Sequence, residues 1–273
     1  MKRVVILSVL LFVCFNLSAA KAKEVEIKVL SYNILHNQNE KVKGDKKWEK
    51  RRYAAYNMIK DVLPDIIGYQ EATMPQRNDL KAALPEYGFI EQRGNSKFIM
   101  YRKDRFEFVK RGNFWMSDTP KKKSETWGGT GPRATMWILL RLKDNGREIY
   151  FFDTHLDVKS QDARLKGARL NVDSMKRICG KRAVQFIVGD MNSSDPSVTG
   201  IYETWVKDAR KCAKITNKSR TYHGFGKSKN NLVIDYIYFR NAKPLSFELV
   251  DSKDYGVEYL SDHYPVLGRF LVK

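Results

Sequence analysis

The 273-residue chain has few cysteines, few histidines and none of the signature motifs of several common enzyme classes. It lacks a GxSxG nucleophile elbow, a GxxxxGK phosphate-binding loop, an HExxH zinc motif and a GxGxxG dinucleotide motif. These absences argue against a serine hydrolase, a P-loop NTPase, a zinc protease and a dinucleotide-dependent oxidoreductase. The glycine-rich segment 128–133 contains Pro132 and is followed by a strand pattern, so we interpret it as a flexible turn that carries Arg133.

Cysteine is too rare to form a disulfide framework. Cys14 lies near the N-terminus, and neither Cys179 nor Cys212 belongs to a CxxC pair or adjoins a histidine. Structural zinc and thiol catalysis are therefore not indicated, and a zinc hydrolase is disfavoured for want of soft ligands. The spacing leaves open whether Cys179 and Cys212 form one disulfide or remain two free thiols.

The N-terminus has the three-part layout of a secretory signal peptide. Lys2 and Arg3 precede an apolar run from Val4 to Leu17, and the small residues Ser18-Ala19-Ala20 follow it. The run is shorter than the roughly 20 residues of a membrane-spanning helix. We therefore expect residues 1–22 to be a signal peptide and the protein to be exported, to the periplasm or the extracellular space.

Repeats, low-complexity stretches and Pro/Gly-rich linkers are absent, which predicts one domain over residues 23–273. Hydrophobic residues make up 42% of the chain, enough for a sizeable core. The formal net charge of +19 favours polyanionic partners such as nucleic acid or phospholipid headgroups. The alternative is that the scattered lysines decorate solvated loops. No stable protein partner is implied, and we expect a monomer.

Strand and helix patterns alternate along the chain, which predicts an α/β fold. Because most strands are apolar on both faces, they indicate two packed mixed β-sheets flanked by helices. The predicted strands are 26–32, 65–70, several within 89–114, 135–142, 148–154, 183–188, 233–239 and 264–271. The predicted helices are 48–63, 75–84, 161–178 and 196–209. Asp144-Asn145-Gly146 predicts a hairpin turn between two of the strands.

Nearly every apolar strand ends at a carboxylate, an amide or a histidine. A single polar strand end is ordinarily a turn residue, but six such ends on strands sharing one sheet edge would form a cleft. Oxygen ligands without thiolates suit Mg²⁺, with Mn²⁺ or Ca²⁺ as alternatives, and such a site serves phosphate ester hydrolysis. The residues at these strand ends are Asn33, Glu71, His155, Asp157, Asp190, Asn192, Asp235, Asp262 and His263.

The order of these motifs resembles the endonuclease/exonuclease/phosphatase superfamily over essentially the whole mature chain. The most specific pieces are Gly189-Asp190-Met191-Asn192 and Ser261-Asp262-His263-Tyr264-Pro265-Val266. Weaker pieces are Ser31-Tyr32-Asn33-Ile34, Gln70-Glu71, Thr154-His155-Leu156-Asp157 and Ile234-Asp235-Tyr236-Ile237. The resemblance implies a four-layer α-β-β-α sandwich and an Mg²⁺-dependent phosphoesterase.

The resemblance also implies a role for each matching residue. Glu71 would be the principal metal ligand, with Asn33 and Asp262 nearby. Asp190 would align or deprotonate the attacking water, and Asn192 would hold a phosphate oxygen. His263, paired with Asp235, would act as a general base or as a donor to developing charge. His155 would contact the phosphate from the opposite side.

Three further residues are candidate substrate contacts. Arg133 could clamp the phosphate, and His223 could line a substrate pocket. Asp157 could contact substrate or serve as a turn residue, whereas His36 matches no motif. The sequence does not decide between a nucleic-acid phosphodiester and a phosphorylated small molecule or lipid. The alternative to an enzyme is a catalytically inactive polyanion-binding protein that keeps the fold.

Overall fold

The computed structural model describes residues 24–92 and 94–273. The predicted signal peptide, residues 1–22, lies outside the described residues. Within the described ranges, no helix combines the length and the apolar character needed to cross a membrane.

The described residues form thirteen β-strands and five α-helices. The strands are β1 (Val25–Asn33), β2 (Ile66–Gln70), β3 (Tyr87–Glu91), β4 (Phe98–Arg102), β5 (Phe106–Trp115), β6 (Ala134–Leu142), β7 (Glu148–His155), β8 (Val184–Asp190), β9 (Lys207–Asp208), β10 (Ile215–Thr216), β11 (Asp235–Arg240), β12 (Lys243–Leu249) and β13 (Val266–Val272). The helices are α1 (Trp48–Val62), α2 (Met74–Ala83), α3 (Gln161–Cys179), α4 (Pro196–Glu203) and α5 (Ala209–Cys212).

The strands form two mixed sheets that pack face to face. The first sheet has the order β10-β12-β13-β1-β2-β4-β3, and the second has the order β5-β6-β7-β8-β11-β9. Each sheet contains one parallel pair of longer strands, β1 with β2 and β7 with β8, among antiparallel neighbours. The predicted two mixed sheets flanked by helices are confirmed.

Three apolar layers hold the sandwich together. The central layer lies between the sheets, where the rings of Phe186 on β8 and Phe270 on β13 meet at 4.8 Å. An outer layer joins the first sheet to α1 and α2, and includes Trp48 and Ile59. The other outer layer joins the second sheet to α3 and α4, and includes Val172. Helices therefore cover the outer faces of both sheets, because those faces are apolar as well.

Several elements between α4 and β13 differ from the sequence prediction, among them the short strand β10. The helix predicted over residues 196–209 ends at Glu203, and Lys207–Asp208 pairs with β11 instead. The chain turns there because Trp205 donates its indole N–H to Gln185 and Asp208 caps the short helix α5. Strand β12 was missed in a segment that contains Pro244, and its register with β13 shifts between Pro244 and Ser246.

Candidate active site

The polar strand ends meet at one edge of the sandwich. In the second sheet, His155 at the end of β7 pairs with Asp190 at the end of β8. Asp190 in turn pairs with Asp235, the first residue of β11. In the first sheet, Asn33 ends β1 beside Gln70, and Glu71 follows directly. The two sheets therefore bring their polar ends together across the top of the central layer.

His263 and Asp235 form a buried hydrogen-bonded pair. His263 Nδ1 lies 2.9 Å from Asp235 Oδ2, and both side chains are almost completely shielded from solvent. Burial alone would lower the pKa of His263, but the charge and hydrogen bond of Asp235, with the charge of Asp190, raise it to about 10. The imidazole is therefore held in one orientation and protonated at neutral pH.

Asp190 lies at the centre of the group. Its Oδ2 accepts a hydrogen bond from Asn33 Nδ2 at 3.1 Å and lies 3.6 Å from His155 Nε2 and 3.8 Å from His263 Nε2. Its Oδ1 accepts a hydrogen bond from the backbone N–H of Asn192 at 2.8 Å. Burial, and then the charge of Asp235, raises the pKa of Asp190 above its ordinary value. A buried carboxylate with a raised pKa is suited to accept a proton.

His155 differs from His263 in its charge state. Burial and the nearby positive charges of Arg133 and Lys97 hold the pKa of His155 well below its ordinary value. Its Nδ1 is buried and has no hydrogen-bond partner among the described residues. The two histidines that flank Asp190 therefore differ at neutral pH, one neutral and one protonated.

Glu71 adopts a strained backbone conformation with a φ of 63°. Such a conformation is costly for a residue with a Cβ atom and often marks a functional site. Its carboxylate accepts hydrogen bonds from Asn33 Nδ2 at 3.4 Å and from the backbone N–H of His36 at 3.2 Å. Asn192 is similar, with a φ of 46° and its side-chain amide donated to the carbonyl of Leu156 at 3.0 Å.

The chemistry of the site fits a divalent cation. Within the described part of the chain, neither Lys nor Arg forms an ion pair with Glu71, Asp190 or Asp262. Separately, ligand atoms of Asp190, Asp235 and His263 lie within 4.8 Å of one another in a buried group, in which His263 could bind a metal ion only after it loses its proton. Carboxylates without a Lys or Arg partner suit Mg²⁺, Mn²⁺ or Ca²⁺.

Asn33 lies between the carboxylates of Glu71 and Asp190, and its predicted role as a metal ligand stays a prediction. Its Nδ2 faces the carboxylates of Glu71 and Asp190, while its Oδ1 accepts the backbone N–H of Leu35 at 3.2 Å. In this orientation the amide holds the two carboxylates together, and its oxygen is engaged locally.

Two adjoining cavities open on the group. The first, which we call the reaction cleft, has a volume of about 630 Å³, and the second, the side cavity, has a volume of about 870 Å³. Asp190, Asn192, Asp262 and His263 line the reaction cleft alone. Glu71, Arg133 and His155 line both cavities, so they form the boundary between them.

Asp157 lies beneath the glycine-rich loop that carries Arg133, and outside both cavities. Its carboxylate accepts hydrogen bonds from the backbone N–H and the hydroxyl of Thr130 at 2.6 and 2.7 Å, and from two further backbone N–H groups. Burial opposes ionisation, but these hydrogen bonds lower the pKa of Asp157 to about 2. Thr130 in turn accepts a hydrogen bond from Arg133. The contacts of Asp157 are those of a turn residue, and a contact with substrate stays a prediction.

His223 also lies away from the cavities. It is buried, its ring lies 5.1 Å from that of Tyr259 and 4.5 Å from that of Tyr264, and its backbone N–H donates to the carbonyl of Asp262 at 3.0 Å. In this structure His223 supports the segment that carries Asp262 and His263, where the sequence had predicted a contact with substrate.

Several site residues were missed from the sequence. His36 lines the side cavity and contacts Glu71. Lys97 and Asp153 are buried below the site, and Gln70 Nε2 donates to Asp153 Oδ1 at 2.7 Å. Burial, and then the charge of Arg133, lowers the pKa of Lys97 to about 7. Asp153 could have been found, because it precedes His155 by two residues in a strand and so shares its face. Lys97 belongs to no motif.

Cys179 and Cys212 are free thiols, the first half-buried on α3 and the second exposed at the end of α5. The structure therefore selects the second of the two alternatives that the sequence left open.

No protein-family model matches the chain. An uncharacterized protein of Acanthamoeba polyphaga mimivirus is 23% identical over 257 residues, covering 77% of this chain. The chain spans 36% of the length of that relative.

Solved structures match over nearly the whole described chain. An endonuclease/exonuclease/phosphatase from Bacteroides vulgatus has a TM-score of 0.82 at 28% identity, covering 91% of this chain and 100% of that one. A mannosyl-6-phosphatase from Bacteroides thetaiotaomicron has a TM-score of 0.82 at 27% identity, covering 89% and 99%. TDP2 from D. rerio, in complex with a single-strand DNA product, has a TM-score of 0.73 at 19% identity, covering 90% and 98%, a likeness in fold alone.

Proposed function

This chain is a member of the endonuclease/exonuclease/phosphatase superfamily, and from that premise we propose that it hydrolyses a phosphate ester with a divalent metal ion and an activated water. The observation that carries the proposal is the buried group of Asp190, Asp235 and His263 beside Glu71, at the edge shared by both sheets. Such a group combines a proton acceptor, a proton donor and ligands for a cation.

The metal ion would be held by the carboxylates of Glu71 and Asp262, which lack ion pairs with Lys or Arg in the described ranges. When bound, Mg²⁺ would neutralise charge on the phosphoryl oxygens and on the leaving oxygen. Asn33 fixes the separation of Glu71 from Asp190 by donating to both carboxylates. The strained backbone at Glu71 directs its carboxylate toward the same edge.

The proton-handling roles follow from the charge states of the buried residues. Asp190, whose pKa is raised, accepts a proton from the attacking water. His263, protonated and held by Asp235, donates a hydrogen bond to the charge that develops on the phosphoryl group. Neutral His155 and the guanidinium of Arg133 bind phosphate oxygens from the side-cavity border. Asn192, which lines the reaction cleft, would hold another oxygen through the amide hydrogen that is not donated to Leu156.

The comparisons support two substrate classes to different degrees. The mannosyl-6-phosphatase, at 27% identity, favours a phosphorylated small molecule. TDP2 with its DNA product shares only the fold at 19% identity, so a nucleic-acid substrate has weaker support. The inactive binding protein is disfavoured, because the carboxylates and histidines of the site are all present and assembled.

Export belongs to the same proposal and depends on residues 1–22. Expression of the full chain in a bacterial host, followed by N-terminal sequencing of the periplasmic and extracellular protein, tests it. A new N-terminus near residue 21 or 23 supports export. Full-length protein retained in the cytoplasm overturns it.

The activity is tested with purified residues 23–273 on phenyl phosphate and on bis-p-nitrophenyl phosphate, with Mg²⁺ or with EDTA. We expect turnover in Mg²⁺ and none in EDTA, and we expect kcat to fall at least about 100-fold in Glu71→Gln and in His263→Ala. The matched control is Glu107→Gln, an exposed residue at the opposite end of the second sheet that should retain activity. Turnover that is insensitive to EDTA, or that survives in Glu71→Gln, contradicts the metal role.

A further inference from the structure

The side cavity adjoins the reacting groups and is large enough for a small-molecule ligand. Its volume of about 870 Å³ lies within the range of roughly 300–1,000 Å³ that is typical of ligand sites. It is bounded by the start of α2, the connection between β3 and β4, and the shared border of Glu71, Arg133 and His155. A substrate whose phosphate lies at that border would therefore extend its alcohol portion into this cavity.

The charges around the side cavity do not suit a second anionic group. Arg77 directs its guanidinium to the carbonyl oxygens of Ala72 and Asn95, so it is committed to the wall. The carboxylate of Glu91 adds a negative charge, which Lys81 compensates at 2.6 Å. Among the described lining residues, Arg133 is then the one Arg or Lys available to bind substrate. It lies at the border between the two cavities, where the phosphate is expected. Among these described lining residues, a second phosphate deeper in the cavity would therefore find no further Arg or Lys.

The cavity wall is also unsuited to a nucleobase. The described lining residues include no Phe, Tyr or Trp on which a base could stack. They are mostly neutral hydrogen-bonding groups and small or aliphatic side chains, including Gln38, Thr73, Gln92, Asn95 and Ser96.

Three of these lining residues have buried polar atoms without a hydrogen-bond partner in the described part of the chain. They are Glu91 Oε2, Gln92 Oε1 and Asn95 Nδ2. Glu91 Oε2 forms an ion pair with Arg77 Nη1 at 3.9 Å, so Gln92 and Asn95 supply the atoms without a partner of either kind. Asn95 is 7% exposed, and its Oδ1 accepts the backbone N–H of Lys97 at 3.0 Å, which leaves Nδ2 as the free donor. Unpartnered buried groups are rare in native proteins and call for a ligand or a functional explanation. An acceptor, Gln92 Oε1, and a donor, Asn95 Nδ2, on one wall match a hydroxyl group, which both donates and accepts.

We propose that the side cavity binds the alcohol portion of the substrate, and that this portion is an uncharged, non-aromatic, polyhydroxylated group such as a hexose. The inference rests on the proposed phosphoesterase function and specifies its substrate as a polyol monophosphate. Gln92 and Asn95 are then specificity-determining residues. Gln92 is partly exposed, so rotation about its side-chain torsions presents Oε1 to a hydroxyl group.

The test compares kcat/KM for hexose monophosphates, a hexose bisphosphate, phenyl phosphate and a 5′-phosphorylated oligonucleotide. We expect at least a tenfold preference for a hexose monophosphate over the other three. Gln92→Met and Asn95→Leu should each lower kcat/KM for the hexose monophosphate about three- to tenfold, with less than a twofold change for phenyl phosphate. Asn230→Leu, at an exposed loop position outside the cavity, is the control. A preference for the bisphosphate or the oligonucleotide, or equal losses on both ester types, overturns the proposal.

Binding provides a readout that does not depend on turnover. Calorimetry with a hexose monophosphate in EDTA should show weaker binding in Gln92→Met and Asn95→Leu than in the unaltered protein. Equal affinities in all three proteins overturn the side-cavity assignment. If no ester is hydrolysed but the variants bind more weakly, the phosphoesterase function fails and the polyol site stands.

Discussion

From the buried pair of His263 and Asp235 we predict that activity and stability both depend on the proton that His263 carries. Replacing Asp235 with Asn removes the negative charge while keeping the side-chain shape. We therefore expect the pKa of His263 to fall from about 10 toward its ordinary value of 6.5. At pH 8 most of the variant would then carry a neutral imidazole, which cannot support charge developing on a phosphoryl group.

The size of the effect follows from the change in pKa. Each tenfold change in proton affinity corresponds to about 1.4 kcal/mol, so a rise from 6.5 to about 10 represents on the order of 5 kcal/mol in favour of the protonated ring. Asp190 and Asp262 contribute to the same rise, so removal of Asp235 should remove a large part of it rather than all. A loss of roughly 100-fold in kcat at pH 8 is expected, near the lower end of contributions from acid–base groups.

The same pKa change sets the pH dependence of stability. Because the folded-state pKa of His263 lies above its unfolded value, the pairing stabilises the fold fully below about pH 6.5. That contribution is lost as the pH rises toward 10. Asp235→Asn should therefore reduce the free energy of unfolding at pH 6 more than at pH 10, as measured by urea denaturation in EDTA.

The measurements are the pH profile of kcat from pH 5 to 10 and an NMR titration of the His263 ring. Asp208→Asn is the matched control, because Asp208 is a buried carboxylate in the same sheet that caps α5 and does not line the reaction cleft. It should lower stability and leave the alkaline limb of the profile unchanged. If Asp235→Asn keeps the alkaline limb and the NMR pKa of the unaltered protein, the reasoning is refuted.

Three further substitutions test other parts of the structure. Lys97→Met should raise the melting temperature in EDTA at pH 7, because the lowered pKa of Lys97 makes its protonated form unfavourable in the fold. The gain should shrink toward pH 10, and a lower melting temperature at pH 7 contradicts the prediction. Gly68→Ala should lower the free energy of unfolding by about 2 kcal/mol, or the melting temperature by roughly 5 °C, because its Cβ would lie 2.6 Å from Val188 across the two sheets; an unchanged melting temperature would show that the sheets can separate. Asp157→Asn should accelerate proteolysis within residues 128–133 and lower kcat/KM, because the loop that carries Arg133 loses a charged acceptor; the unaltered protein should lose the same restraint as the pH falls from about 4 to 2.

The fold was largely predictable because its signals are local. Apolar strands buried on both faces, such as Val184–Asp190, require cover on each side. This implies a second sheet packed against one face and helices packed against the other. The elements that escaped prediction are those fixed by tertiary contacts. Lys207–Asp208 is a strand only because β11 lies beside it, and β12 contains Pro244, which ordinarily argues against a strand.

The candidate site was predictable to the extent that its residues follow strands. Glu71 directly follows β2, Asp190 ends β8 and His263 lies shortly before β13, so their meeting is a consequence of sheet order. Lys97 gives no such signal, because a lysine before a strand is ordinarily exposed, and only the packing of two sheets buries it. Asp157 and Asp190 both lie at the ends of strands in the sequence. They differ because the loop that contains Thr130 donates hydrogen bonds to the carboxylate of Asp157.

The overall charge of the chain and the charge of the site indicate different partners. The charge of the site is the one that bears on the substrate. A net charge of +19 suggests polyanions, yet the described residues that line the two cavities include more carboxylates than lysines and arginines. Solvent-exposed charges are screened within about 8 Å at physiological ionic strength, so lysines farther than this from the site add little to binding there. They can still raise the encounter rate with any anionic substrate. On the function proposed above, substrate binding in the cavities would instead depend on Arg133, a divalent cation and the neutral hydrogen-bonding groups among the described lining residues, a combination that would favour a single phosphate on an uncharged alcohol.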